Sequence, residues 1–113
     1  MIIRSEQTQA FADDERRRFE VEIIEHLKQA YPHFVWRLRG DPLIRYVRDA
    51  VDRALAFGID IKKDISEFVD FTFELGEHFE SDPRYAAARQ ILTDSSMAGS
   101  AKVEAIRNRF LRV

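Results

Sequence analysis

One segment of this chain, residues 61–82, combines a wide apolar helix face with a series of acids that no lysine or arginine interrupts after Lys63. Between Asp64 and Asp82 it carries seven acids, no lysine or arginine, and four of the nine phenylalanines. At about 100° per residue, the arc that must be buried holds Ile61, Ile65, Phe68, Val69, Phe71, Thr72, Phe73, Leu75 and Phe79. This arc spans more than half of the helix circumference, so neighbours must cover it from two sides. The pattern predicts a central helix that contacts at least two others.

The acids of this helix fill the remaining arc and form a negative strip, Glu67, Asp70, Glu74 and Glu77. A charged helix face is usually solvated, and the basic set Arg107, Arg109 and Arg112 on the last helix could neutralise it within the monomer. If it does not, the strip is open to a basic partner, because complementary charge raises association rate and selectivity. The sequence leaves both interpretations open.

The preceding helices have clear start and stop signals. Ser5 can cap the first helix, with Ile2 and Ile3 as a hydrophobic staple, and Pro32 ends it after Tyr31. Its buried line is Ala12, Phe19, Ile23, Leu27 and Ala30. The second helix is predicted to have Asp41 as N-cap and to end at Gly58, and Asp60 then starts the acidic helix. Its inner face is Leu43, Val47, Ala50, Val51, Ala54 and Leu55.

The C-terminal third predicts two more helices. Asp82-Pro83 starts a short one through Tyr85, Ala88, Ile91 and Leu92, and residues 94–100 read as a loop. The last helix places Val103, Ile106, Phe110 and Val113 on one face. No window alternates with period two, so residues 1–113 are predicted to form a single all-α domain of about five helices with short connections. Residues 33–40, HFVWRLRG, are too short for a helix of their own and could be surface or core.

Gly76 falls in the apolar arc of the acidic helix, where glycine is disfavoured by about 1 kcal/mol relative to alanine. We interpret it as a position where a neighbouring backbone packs closely. That hypothesis makes Gly76→Ala tolerable and Gly76→Leu destabilising.

Composition excludes several classes of protein. With 113 residues, 45% apolar and 34% charged, the chain fits one globular domain. It has no cysteine and no apolar run that approaches the roughly 20 residues of a membrane span, so we expect a cytoplasmic protein without disulfides. Arginine-rich stretches such as Arg16-Arg17-Arg18 are interleaved with acids, and the net charge is −2. We therefore expect neither nucleic acid nor a membrane as partner.

The residues also give no catalytic, cofactor or metal site. The Glu-x-x-His spacing of helical di-metal sites is absent at His26, His33 and His78. His26 reads as a hydrogen-bonded core histidine and His78 as a half-buried one. There is no Gly-x-Ser-x-Gly elbow and no glycine-rich phosphate loop. The exposed acids share one helix face, so they lack the two different environments that an acid–base pair needs. A small carboxylate-dependent enzyme is the less favoured alternative.

Protein binding remains, and two aromatic residues join the acidic strip as candidates. Phe34 and Trp36 stand among arginines, and aromatic residues and arginine are favoured at interface centres. A single tryptophan in a small helical protein is also often a core residue, so this assignment stays open.

A longer pattern of core and capping residues runs through most of the chain, from residue 11 to about 110. It comprises Phe19, His26-Leu27, Tyr31-Pro32, Ala54-x-x-Phe57-Gly58-Ile59, Asp64, Phe68, Leu75-Gly76, Phe79, Asp82-Pro83 and Ile91-Leu92. This pattern resembles a family of small helical bacterial proteins encoded beside type VI secretion effectors, spike proteins and effector-loading chaperones. The resemblance implies a co-chaperone or adaptor that binds the loading chaperone or the effector. An immunity protein that masks a toxin is the alternative.

Overall fold

The computed structural model describes residues 13–111, which are mostly helical and contain no strand. The helices are α1 (Asp13–Ala30), α2 (Pro32–Leu38), α3 (Asp41–Ala56), α4 (Lys62–Glu74), α5 (Ala86–Leu92) and α6 (Gly99–Ile106). Two 3₁₀ turns (Phe79–Ser81 and Pro83–Tyr85) precede α5, and a π turn (Arg107–Leu111) follows α6. The prediction of a single all-α domain is confirmed for these residues, with six α-helices where about five were expected. Ser5, Ile2, Ile3, Ala12, Arg112 and Val113 lie outside the described residues.

Helix α4 is the central element, as its wide apolar arc predicts. It packs against α3, α6 and α1. Its side chains at Ile65, Phe68 and Val69 are fully buried, and Phe71 is nearly so. Helices α1, α3 and α6 bury the predicted residues Ile23, Leu27, Val47, Val103 and Ile106 against the same core. Ala30 and Ile61, which were expected to be buried, are exposed.

The extra helix α2 forms where the sequence predicted none. Pro32 occupies its first turn, where a fixed φ favours the helix and the missing N–H costs nothing. Val35 is buried on the core and Leu38 packs against it, so two of its seven residues fix the helix to the domain. Most of residues 33–40 are therefore exposed, in α2 and the turn that follows it, and Val35 is their one fully core residue.

The acidic helix ends at Glu74, five residues earlier than its apolar pattern indicated. Gly76 has φ +132°, a conformation that L side chains rarely adopt, and it breaks the helix. Phe79 nevertheless returns to the core from the first 3₁₀ turn, 1% exposed. No atom lies within 4 Å of the position that a Cβ on Gly76 would take. The close-packing hypothesis for Gly76 is wrong, and the glycine serves the chain reversal instead.

This correction changes the expected effect of substituting Gly76. Gly76→Ala should lower the free energy of unfolding by about 1–3 kcal/mol, because the new side chain is strained at this φ. Gly76→Leu should cost about the same, since open space surrounds the site. Urea unfolding of both variants checks this, and a much larger loss for leucine would revive the packing explanation.

The ends of the helices partly follow their predicted caps. Gly58 (φ +83°) ends α3 as predicted, with Gly58 N donating to Leu55 O and Ile59 N to Ala54 O. That pair of bonds is the Schellman arrangement. Asp82 also caps as predicted and accepts from Arg84 N at 2.9 Å. The N-cap of α3 is Gly40 rather than Asp41, and that of α4 is Ile61 rather than Asp60.

Candidate protein-binding surface

A groove of about 490 Å³ lies between α2 and the C-terminal end of α4. We call it the aromatic groove, and its lining is Phe34, Arg37, Leu38, Tyr46, Thr72, Phe73, Glu74, Leu75, Gly76 and Glu77. Three of the six site residues predicted from sequence, Phe34, Glu74 and Glu77, meet there. The groove thus joins an exposed aromatic side chain to one end of the acidic strip.

Phe73 organises the floor of the aromatic groove. Its ring stacks on Tyr31, with centroids 5.0 Å apart, and lies 5.0 Å from the ring of Tyr46. Phe34 approaches it edge-on at 5.8 Å. These contacts come from four different parts of the chain, α2, α3, α4 and the residue between α1 and α2. Edge-to-face and offset-stacked geometries of this kind are favourable for aromatic pairs, so the floor is a preformed surface.

Trp36 lies on another side of α2, away from this groove. Residues two apart on a helix do not share a face, and Trp36 is 66% exposed and not part of the groove lining. The guanidinium carbon of Arg39 lies 4.0 Å from the centre of its ring. The interpretation of Trp36 as a core residue is wrong, but the structure does not bring Phe34 and Trp36 together.

The acidic strip is partly paired within the monomer. Arg107 forms a bidentate pair with Glu67, in which Nε bonds Oε2 and Nη2 donates to Oε1 at 2.8 Å. His26 Nε2 lies 2.8 Å from Asp70 Oδ1, and His78 Nε2 lies 3.6 Å from Glu77 Oε2. Neutralisation by the C-terminal segment is therefore confirmed for Arg107 alone of the proposed set. Arg109 lies over the Phe110 ring instead, and Arg112 is outside the described residues.

The two histidines that contact the acidic strip, His26 and His78, are more exposed than expected. The side chain of His26 is 45% exposed and that of His78 is 59% exposed. The predicted core location of His26 and half-buried location of His78 are wrong. His26 is hydrogen-bonded, as expected, and its partner is the carboxylate of Asp70.

A second depression of about 480 Å³ lies beside the aromatic groove and has mixed charge. Its acids are Glu67, Asp70 and Glu74, and its cations are Lys63, Arg107 and, when protonated, His26. Glu74 lines both cavities. The strip therefore differs along its length: Glu67 and Asp70 are partly buried and paired with Arg107 and His26, whereas Glu74 and Glu77 are exposed, with the exposed His78 beside Glu77.

Burial and nearby negative charge shift the pKa values of three groups in and beside the aromatic groove. Burial raises the pKa of Tyr31, and the charges of Asp70 and Glu74 raise it further. Burial also raises the pKa of Tyr46, to which the charge of Glu77 adds, although its hydroxyl donates to Thr72 at 2.9 Å. Burial raises the pKa of Asp70 against the opposing effect of His26.

These shifts predict late ionisation of two tyrosines. A raised folded-state pKa favours the protonated native protein, so the stability it provides is present below the usual value of 10.0 and falls as pH rises above it. We expect a 295 nm titration of the native protein to show Tyr31 and Tyr46 ionising above pH 10.0, and Tyr31→Phe and Tyr46→Phe each to remove part of that late phase. Ionisation of both hydroxyls at the ordinary value before unfolding would contradict the enclosed, negative surroundings.

Sequence reasoning missed the residues that complete the groove, chiefly Arg37, Leu38 and Tyr46. One available signal was the i, i+3, i+4 spacing of Phe34, Arg37 and Leu38, which places all three on one face once α2 is recognised as a helix. Tyr46 carried no such signal, because its contact with Phe73 depends on how α3 crosses α4.

Comparison with known proteins adds no assignment: no protein-family model, curated protein or solved structure matches this chain. The link to type VI secretion stays a prediction. Among residues 13–111, no three His, Cys, Asp or Glu side chains are grouped so that they could hold a metal ion. In that same range, every helix is too short or too polar to cross a bilayer.

Proposed function

We propose that this chain is a non-enzymatic protein-binding accessory, a co-chaperone or adaptor of bacterial effector or toxin delivery that acts in the cytoplasm. Its partner would be the effector-loading chaperone or the effector itself. The observation that supports binding is the aromatic groove, where a 48% exposed Phe34 stands over a preformed aromatic floor beside two exposed acids. The resemblance supplies the delivery context, and nucleic acid is not expected as a partner because acids line the cavity.

Aromatic residues such as Phe34 carry much of the binding energy of protein interfaces. Large aromatic side chains at the centre of a contact, surrounded by residues that exclude water, typically cost 2 kcal/mol or more when truncated. Phe34 meets this description because Leu38 and Leu75 line the cavity with it. Trp36 offers a comparison on the same helix, since it is equally aromatic and still more exposed but lies outside the cavity.

The test is co-purification with the products of the neighbouring genes, followed by calorimetric titration of the partner that binds. Phe34→Ala should weaken binding by about thirtyfold, the equivalent of about 2 kcal/mol. Trp36→Ala, the matched control, should change it by less than about threefold. Binding of neither chaperone nor effector rejects the proposal, and a loss confined to Trp36→Ala moves the interface to the other side of α2. Masking of a toxin's activity by the bound chain would identify it as an immunity protein instead.

A further inference from the structure

The aromatic groove has the size and lining of a site for one or two side chains. Its volume of about 490 Å³ lies within the range of small ligand sites. Phe34 stays 48% exposed although it touches Phe73, and Phe73 and Leu75 are only partly buried. An apolar side chain placed there would remove these surfaces from water, at about 25 cal/mol for each Å² buried.

The charged residues at the rim of the groove indicate which charge a bound segment would carry. Glu74 and Glu77 are exposed on one side, and Arg37 is the one cation in the lining. In the neighbouring depression Arg107 and His26 pair with the partly buried Glu67 and Asp70, whereas Glu74 and Glu77 stay exposed, with His78 3.6 Å from Glu77. Burial is the largest cause of the raised pKa values of Tyr31 and Tyr46, and the charges of Glu74 and Glu77 respectively add to it.

We propose that the aromatic groove binds a short basic segment of the partner protein. One large apolar side chain of that segment inserts against Phe73 and Phe34, and a lysine or arginine beside it pairs with Glu74 and Glu77. This inference rests on the proposed function, which supplies the protein partner, and it adds which side chains of that partner the groove would bind. An acidic segment is disfavoured by the same two carboxylates, since like charges across an interface are repulsive.

The probes are three matched synthetic peptides of about ten residues, added to the ¹⁵N-labelled full chain at up to about 1 mM, where binding worth only about 4 kcal/mol is still visible. The first has one leucine flanked by two lysines, the second replaces the lysines by glutamate, and the third replaces the leucine by serine. We expect the first peptide to shift the amide resonances of Phe34, Phe73 and Leu75. The other two should bind at least about tenfold more weakly, which corresponds to about 1.4 kcal/mol.

A pair of charge-reversal variants then tests the rim. Glu74→Lys/Glu77→Lys should lose at least about tenfold in affinity for the lysine peptide. Glu22→Lys/Glu104→Lys makes the same change in net charge at exposed acids outside the groove and should leave the affinity within about twofold. Equal losses in the two variants would mean that overall charge, not the rim, attracts the peptide, and the inference would be wrong.

Other results separate this inference from the proposed function. If the natural partner binds and depends on Phe34 but no peptide shifts the groove resonances, the proposed function stands and the basic-segment inference is rejected. Equal binding of the glutamate peptide rejects the charge argument. Groove shifts that grow with protein concentration in the absence of peptide would assign the groove to a second copy of this chain and also overturn the inference.

Discussion

Replacing Glu80 by alanine should lower the free energy of unfolding by about 3–5 kcal/mol, because the change leaves a buried guanidinium without its closest carboxylate. Glu80 Oε2 accepts from Arg53 Nη1 at 2.6 Å, and the two side chains are only 7% and 17% exposed. Arg53 also bonds Asp49, at 3.1 Å, but the Asp49 side chain is 55% exposed. Screening by water makes that second bond a weak replacement.

The pair of Arg53 and Glu80 also leaves two of its polar atoms without a hydrogen bond, which allows a second test. Among the described residues, Arg53 Nη2 and Glu80 Oε1 are buried without a hydrogen-bond partner. Burying a polar atom in this way costs about 1–3 kcal/mol, so the intact pair need not be strongly stabilising. We therefore expect the double variant Arg53→Met/Glu80→Leu to recover most of the stability that Glu80→Ala loses, since apolar replacement of a whole buried pair is often neutral.

Urea unfolding measures all of these free energies. The matched control is Glu25→Ala, which removes the pair between Glu25 and Lys28, whose side chains are 61% and 54% exposed. That change should stay within about 1 kcal/mol. If Glu80→Ala costs no more than Glu25→Ala, then water reaches Arg53 in solution and the pair is not buried.

The buried charges illustrate what sequence pattern cannot supply. The apolar spacing of α1, α3 and α4 predicted most of the core because each helix face can be read locally from a 3.6-residue period. Glu80 and Arg53 are 27 residues apart in sequence, and Arg107 and Glu67 are 40 apart. Which acid meets which arginine depends on how the helices cross, and no local period encodes that. Glu20, which follows Arg16-Arg17-Arg18, is buried between Arg16 and Arg48, and no local sequence pattern indicated that burial.

The end of α4 shows a different limit. The apolar period continues to Phe79, yet the helix stops at Glu74 and Phe79 reaches the core through a 3₁₀ turn. Gly76 was the available signal, since a glycine that follows a periodic stretch often ends a helix. The candidate site was predictable to the same degree: Phe34, Glu74 and Glu77 were identified individually, but the floor that unites them required the packing of Phe73 against Tyr31 and Tyr46.

The position where two backbones approach closely is Gly99, not Gly76. A Cβ on Gly99 would overlap the carbonyl oxygen of Gly58 and lie 2.8 Å from the Cα of Ile59. These are backbone atoms of the turn between α3 and α4, so no side-chain rotation can relieve the clash. Lys102, one turn further along α6, is 6% exposed and donates to Phe57 O at 2.7 Å and to Leu92 O at 2.8 Å. Its ammonium group thereby joins the ends of α3 and α5 to α6.

We therefore expect Gly99→Ala to lower the free energy of unfolding by about 3 kcal/mol or more. Overpacking accounts for about 1–3 kcal/mol. A shift of α6 that relieves it would also stretch the two bonds of Lys102, and hydrogen bonds to charged groups contribute about 1.5–3 kcal/mol each.

The sign of the change in the free energy of unfolding is decisive, because Gly99 does not have a positive φ that would itself strain alanine. Without the clash, alanine at this first residue of α6 would gain up to about 1 kcal/mol of helix propensity. Gly76→Ala serves as the comparison, since it introduces conformational strain at a position with open space. If Gly99→Ala unfolds at the same or a higher urea concentration than the parent chain, α6 and the α3–α4 turn are farther apart in solution. Lys102→Met should then also be mild, because the carbonyls of Phe57 and Leu92 would already be open to water.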